Sequence, residues 1–350
     1  MLIIVIFPQT AAASPKYKYT MTYTFENRSE KVVTLTRDDI STPLFIQNSW
    51  QNIVITSSDP TLGPEWYDED GNSFKTLNVP LNLEPMQKIN FTVIYTIDSS
   101  SKTPIPLNTK DAEDPSKIPV DLVNDYCVAT STFTSDDAKI ADLASSLTQN
   151  KSSVLDKVTR LVSWFTSNIT YDSGEVPRYA NETLVQRKGD CDDQSILLIS
   201  MLRSLKIPAY MEIGVVINSG LYANETSWSG HLTNEEVGVG WHGWVEAYIP
   251  PWGWTPIDLT LAQSSDPLDK ILKAPEYTDY VITVFEVSKL DYVYDSRVVR
   301  NRIIQDNIFV STLDDVSSIN QPPWVNPTVI GLGLALLAAI LVMFYTAHRK

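Results

Sequence analysis

The chain has 350 residues, which at about 150 per domain leaves room for two domains and a remainder. Its 27 Lys and Arg against 42 Asp and Glu give a net charge of −15, and no basic cluster precedes the last three residues. That excludes a general nucleic-acid binder, which needs a basic surface to neutralise phosphates. Apolar residues at 43% exclude disorder as a class, and two cysteines exclude a disulfide scaffold, a zinc finger and a Cys-ligated cluster.

Residues 1–14 read as a signal-peptide-like segment. Leu2–Phe7 is a short apolar stretch and Gln9–Ser14 offers an A-x-A-like cleavage site, although the basic start of such a leader is missing. A buried first strand is the alternative. Sequons at Asn27, Asn90, Asn150, Asn168, Asn181 and Asn224 are permissible on an exported chain.

Residues 16–100 read as an antiparallel β-sandwich. YKYTMTYTFEN, KVVTLT, NIVIT and INFTVIYTI are strand-length runs rich in Val, Ile, Thr and Tyr, separated by turn chemistry such as Asp70-Gly71-Asn72. Residues 101–119, rich in Ser, Pro and charge, read as a linker.

Over 120–265 the period changes. Ser135-Asp136-Asp137 looks like a cap and first turn before Ile140, Leu143, Ala144 and Leu147. Val154, Val158, Leu161 and Phe165 form a second helical stripe. A third helix starts at Asp190-Cys191, carries Ile196, Ile199, Leu202 and Leu205, and ends before Pro208. Strand-like MEIGVVI, GWVEAYIP and WTPIDLTL follow, an α+β order.

Residues 266–327 hold strand-like YVITVFEV and NIFVST and no legible motif, so they either complete a sheet or form a stalk. Residues 328–347 read as a transmembrane helix, because the uncharged run Val329–Ala347 is about as long as a bilayer core requires. Arg349 and Lys350 favour a cytoplasmic C-terminus, which would make this a single-pass cell-membrane protein with its bulk extracytoplasmic.

The chemistry lies between Gly189 and Thr260. Gly189 permits a tight turn and Asp190 can cap the next helix, so Cys191 falls in a first helical turn. There the dipole and unpaired N–H groups favour a thiolate and can face an oxyanion. Asp190, Asp192 and Asp193 oppose this, so a cation must compensate; an imidazolium is the natural candidate. In the run Gly240–Pro250, Val245, Ala247 and Ile249 share one face, while His242, Trp244, Glu246 and Tyr248 share the other. After Pro250–Gly253, Ile257, Leu259 and Leu261 lie opposite Trp254, Pro256, Asp258 and Thr260. If both apolar faces meet one core, His242 and Asp258 are neighbours on the other, the arrangement that fixes an imidazole tautomer. The spacing leaves their register open.

The pieces RKGDCDDQSILLISMLRSLKIPAY, HGWVEAYI and WGWTPIDLT resemble the transglutaminase-like superfamily, cysteine enzymes with a papain-like core, over about Val154–Ala262. The resemblance implies Cys191 as nucleophile, His242 as base and acid, and Asp258 as orienting carboxylate. One departure is Lys206-Ile207-Pro208-Ala209-Tyr210 where many members read Gly-Ile-Pro-Ala-Arg, and a long insertion carrying His231 separates Gly214 from His242, where it could shape the cleft.

Each assignment has a plainer alternative. Cys191 and Cys127 could form a disulfide, or Cys127 could be a small buried hydrophobe. His242 could be structural, with His231 as a distant replacement, and Asp258 a turn residue. Trp164, Tyr171, Trp244 and Glu246 read as packing or supporting groups. No metal and no cofactor are assigned, since the acids lack calcium-loop spacing.

The expected function is a membrane-anchored extracytoplasmic cysteine enzyme. It would act on amide bonds of a cell-surface protein or peptide through a Cys191 thioester, more as peptidase or amidase than as crosslinking enzyme. The alternative is a non-catalytic surface module that keeps the fold.

Overall fold

The structure, a computed structural model, describes residues 15–262 and 264–319. Strand alternation is strong where the sequence alternates. In Lys16–Asn27 the side chains of Tyr19, Met21, Phe25 and Asn27 are buried, and in Lys88–Ser99 those of Phe91, Val93, Tyr95 and Ile97. Both strands therefore need a covered face.

That face is part of one eight-stranded sheet. Its order is Val281–Val287, Ala209–Ser227, Leu232–Ile249, Ile308–Ser318, Lys16–Asn27, Lys88–Ser99 and Gln51–Asp59, with Gly253–Ile257 paired to Leu232–Ile249. Neighbours are antiparallel except Leu232–Ile249 and Ile308–Ser318, which run parallel. The expected N-terminal β-sandwich is corrected in its extent: Ser41–Leu44, Ser73–Leu77 and Leu62–Tyr67 form a second antiparallel sheet over the same core, but the first layer is shared with strands from the rest of the chain. Lys16–Asn27 pairs residue for residue with Ile308–Ser318, from Tyr17 opposite Ser318 to Asn27 opposite Ile308. Alternation in sequence records which face is buried, not which strand supplies the hydrogen bonds. Of the two readings of the region after 266, completion of a sheet is the one observed up to residue 319.

The expected cleft-shaping insertion is instead the bridge between the halves. Ala209–Ser227 and Leu232–Ile249 form a long hairpin whose far end, from Leu232 opposite Val310 to Val237 opposite Asp315, holds the C-terminal strand. One apolar core includes Val215, Ile217 and Val239 of this hairpin together with Tyr19, Phe91, Ile97 and Ile308. A second packs the helices Ala138–Thr148, Val154–Asn168 and Cys191–Ser204 on the other end of the same strands, through Met211, Val245, Ala247, Ile249 and Ile257.

The helices follow their stripes. Asp137 caps Ala138–Thr148 and Ser153 caps Val154–Asn168, each carboxylate or hydroxyl accepting from first-turn N–H groups. Cys191–Ser204 is buried on nearly every side from Asp193 to Arg203, as expected of a helix enclosed by others and a sheet. The helix Tyr292–Gln305 lies where only strand was expected.

Two expectations fall at the ends. Residues 1–14 and 328–347 lie outside the described residues. No helix among the described residues is long and apolar enough to cross a membrane. The expectation of a single-pass helix, of membrane attachment through it and of a cell-membrane location is corrected on that finding.

Candidate active site

Three segments build the site, beginning with Gly189-Asp190-Cys191. Asp190 has an extended backbone and its carboxylate accepts from Asp193 N at 3.4 Å, while the Asp193 carboxylate reaches back to Asp190 N at 3.3 Å. This reciprocal cap fixes Cys191 as the first residue of its helix. A Cβ on Gly189 would lie 2.6 Å from Asp193 Cβ, so a side chain there would displace the cap.

The three neighbouring acids are held individually. Fully buried Asp193 pairs with the Arg178 guanidinium and accepts from Arg178 N at 2.6 Å. Asp192 Oδ2 accepts from the Tyr292 hydroxyl at 3.0 Å. Asp190 Oδ2 accepts from Gly174 N at 3.1 Å. The cation among these acids is thus Arg178, for which the sequence carries no signal because it stands in an irregular loop with no period.

The backbone N–H groups of Gly243 and Asp192 face the Cys191 sulfur. Burial pushes the Cys191 thiol well up, the charges of Asp192 and Asp190 push it further, and those two N–H groups oppose them. Burial and these two charges thus oppose the thiolate, and a base must assist it. Cys191 is partly exposed and Cys127 buried; both are free, so the disulfide alternative is not realised. Burial also raises the Cys127 thiol, to about 11, in keeping with an inert core position.

Gly243 is the residue after His242. It packs against the cysteine helix: a Cβ there would lie 3.6 Å from Asp192 Cα. The hairpin register, Val245 opposite Ile257, brings Asp258 across from Trp244 and diagonal to His242 one step further on. His242 Nε2 and Asp258 Oδ2 are 2.7 Å apart, both buried. The Trp244 ring stacks on His242 with centroids 6.0 Å apart, and so limits where the imidazole can turn.

Asp258 is also a turn residue, so both readings of it hold together. The expected strand through Leu261 stops at Ile257, and Asp258 Oδ1 accepts from Thr260 N at 2.9 Å and Leu261 N at 2.7 Å. Leu261 is 39% exposed as a result, not on the apolar face. Burial works to raise the Asp258 pKa, but the hydrogen bond and charge of His242, with help from Glu276 and Leu261 N, hold it well below the usual carboxylate range. Lys270 Nζ donates to Leu259 O at 2.9 Å and Ala262 O at 3.1 Å and so ties down this loop. The sequence carries no signal for Lys270 beyond its charge.

The remaining candidates lie elsewhere in the architecture. His231 Nδ1 bonds Ile308 O at 2.8 Å and its ring stacks on Phe309, at the junction with the C-terminal strand. Trp164 packs edge-on to Phe165, Glu246 is buried on the hairpin, and Tyr171 is exposed. Two sets of side chains are close enough to share an ion, Asp190 with Asp192 and Asp193, and His242 with Asp258 and Glu276. The first set is already engaged with backbone amides, Arg178 and Tyr292, and the second with a direct imidazole–carboxylate bond.

A cysteine on a helix N-terminus beside a buried imidazole–carboxylate pair on a hairpin defines a cysteine-enzyme fold. Residues 141–259 match the family model for the transglutaminase-like superfamily, and the chain carries a domain of that superfamily. The protein YebA of Bacillus subtilis (strain 168), described as uncharacterized, is 32% identical over 133 residues, which are 35% of this chain and 17% of that protein. This chain therefore spans a small part of the curated relative it matches. A crystal structure from Cytophaga hutchinsonii, described as "a Putative Cysteine Protease", overlays with a TM-score of 0.53 at 15% identity, covering 89% of this chain and 93% of that one. At that identity the likeness is one of fold.

Proposed function

We propose that Cys191, His242 and Asp258 catalyse acyl transfer from amide bonds of a protein or peptide through a Cys191 thioester, with water as the usual acceptor. The observation that carries this reading is the buried bond between His242 Nε2 and Asp258 Oδ2. It commits one ring nitrogen to the carboxylate and leaves Nδ1 for the thiol.

In this mechanism Nδ1 takes the Sγ proton as Sγ bonds to the amide carbonyl carbon. The oxyanion meets backbone N–H groups at the start of the cysteine helix. Collapse breaks the C–N bond, and the departing amine takes the proton from Nδ1. Water, deprotonated by the neutral imidazole, then attacks the thioester and returns the thiol. Asp258 stays ionised throughout and stabilises the imidazolium. A primary amine in place of water would give a crosslink by the same route.

Intact-mass analysis of the protein quenched during turnover of a peptide panel tests this. The expected result is an acyl adduct on Cys191 that is absent from Cys191→Ala and resolves to free acid; resolution to an amide with added amine would shift the reading to crosslinking. No adduct with any peptide would count against acyl transfer. A non-catalytic module that keeps the fold would give no adduct.

A further inference from the structure

Glu276 lies on the short turn Pro275–Tyr277 and is fully buried. Neither of its carboxyl oxygens meets a hydrogen-bond donor. What it faces is the back of the site: ligand atoms of Glu276, Asp258 and His242 all lie within 4.8 Å of one another. Two ionised carboxyl groups offer only acceptors, so a buried site disfavours the pair unless one of them keeps a proton.

The surroundings decide which one does. Asp258 has donors on both oxygens, from His242 Nε2, Thr260 N and Leu261 N. Glu276 has none, and a buried carboxylate without donors costs far more than a buried neutral acid. The charged neighbours point the same way. Asp258 acts on Glu276 as a negative group, the neighbouring Glu246 is itself pushed well up by burial and by Glu212, and Tyr277 beside it is neutral. The Lys270 ammonium turns to the carbonyls of Leu259 and Ala262 instead. Burial first, and then Asp258, push the Glu276 carboxyl far above its ordinary range.

We propose that Glu276 is a positioning residue, a neutral carboxylic acid that donates its O–H to the Asp258 carboxylate and so sets how firmly Asp258 holds His242. The inference rests on the catalytic reading of Cys191, His242 and Asp258. It extends their row by one member, thiol to imidazole to carboxylate to carboxylic acid. A proton suits these three side chains better than a metal ion does. His242 Nε2 and Asp258 Oδ2 already share a proton at 2.7 Å, and two atoms so engaged cannot both turn lone pairs to an ion.

The test compares Glu276→Gln and Glu276→Leu in the full chain. Glutamine keeps a donor toward Asp258; leucine keeps the volume and removes it. The first readout is difference infrared spectroscopy. Other buried acids absorb in the same region, so the readout is the difference: one protonated-carboxyl band should be lost between wild type and Glu276→Gln, and the same band lost when Glu276→Gln is added to Cys191→Ser, a result independent of whether Cys191 is an active nucleophile. The second is the pH profile of Cys191 alkylation by iodoacetamide. His242 must be neutral to take the thiol proton, and Asp258 without the Glu276 O–H grips the imidazolium harder. The acid limb of Glu276→Leu should therefore move to higher pH, by about one pH unit, while that of Glu276→Gln stays with the wild type. The proposal is overturned if the infrared band is unchanged in Glu276→Gln, if both variants move the limb equally or neither moves it, or if the purified protein carries an equimolar divalent metal. If instead wild-type Cys191 reacts no faster than free cysteine, the catalytic reading fails while the infrared result still stands.

Discussion

Asp190 acts on Cys191 in two opposing ways. Its carboxylate caps the helix that presents the sulfur, and its charge discourages the thiolate. Its own pKa is raised to about 7, by burial and then by Asp192. Asparagine caps as well as aspartate but carries no charge, so the two effects separate. Asp190→Asn should alkylate at Cys191 several-fold faster at neutral pH with an almost unchanged thermal midpoint, whereas Asp190→Ala should lose about 1 kcal/mol of stability. A slower Asn variant would contradict this balance. Residue types explain how much of the site was legible. Cys191 and Asp190 stand out at a helix start, and His242 and Asp258 stand out by strand parity. Glu276, Lys270 and Arg178 do not, because each is a single charged residue in an irregular segment whose partner is set only by the fold.

At the scale of elements, the cysteine helix is held at its far end by Arg203, which is 1% exposed. Its Nε donates to Ala209 O at 2.8 Å, its Nη1 to Val128 O at 3.1 Å and Ser288 O at 3.2 Å, and its plane covers Phe133. One guanidinium thus joins the helix to the strand Ala209–Ser227 and two loops. Lysine has no fork with which to reach these acceptors together. Arg203→Lys should therefore lose about 2 kcal/mol or more in chemical denaturation, since buried carbonyls are left without donors; a change under about 0.5 kcal/mol would show the fork to be dispensable. The helices announced by an apolar stripe, Ala138–Thr148, Val154–Asn168 and Cys191–Ser204, were readable from it. Tyr292–Gln305 buries only Val293 and Ile303 and leaves Val298 and Val299 exposed, so it has no stripe to read. The strand after Gly253 reads too long because the Asp258 turn, not a change of polarity, ends it.

For the whole molecule, the shared sheet makes the N-terminal strands part of the scaffold that carries the candidate site. Removing them would bare the edge of Ile308–Ser318 along its length, and removing that strand as well would bare the hairpin. Residues 120–265 produced alone should accordingly lack a cooperative unfolding transition, while the full chain shows a single one; a folded, cooperative fragment would refute this unity. Sequence could not reveal it, because pairing between residues near 20 and near 315 leaves no local trace. Acidity bears on stability in an unusual direction. Burial first of all raises Asp190 and Glu286 to about 7 and Asp193 and Asp314 to about 6, against about 4 in the unfolded chain. Between about pH 4 and 7 the folded chain holds protons the unfolded chain has lost, so stability falls as pH rises through that window. Asp258 acts oppositely, but its contribution disappears only below about pH 4. The thermal midpoint should be higher at pH 5 than at pH 8, and a midpoint that climbs over this interval would contradict the assignment.

The claim on which the rest depends is that His242, steadied by Asp258, converts the Cys191 thiol into a nucleophile. The alkylation rate of Cys191 at neutral pH, read by intact mass in wild type, His242→Ala and Asp258→Asn, tests it most directly. The account predicts that wild-type Cys191 reacts about 100-fold faster than free cysteine or more, that Cys127 stays unlabelled, and that both variants lose most of the acceleration. Equal rates in wild type and His242→Ala would contradict it.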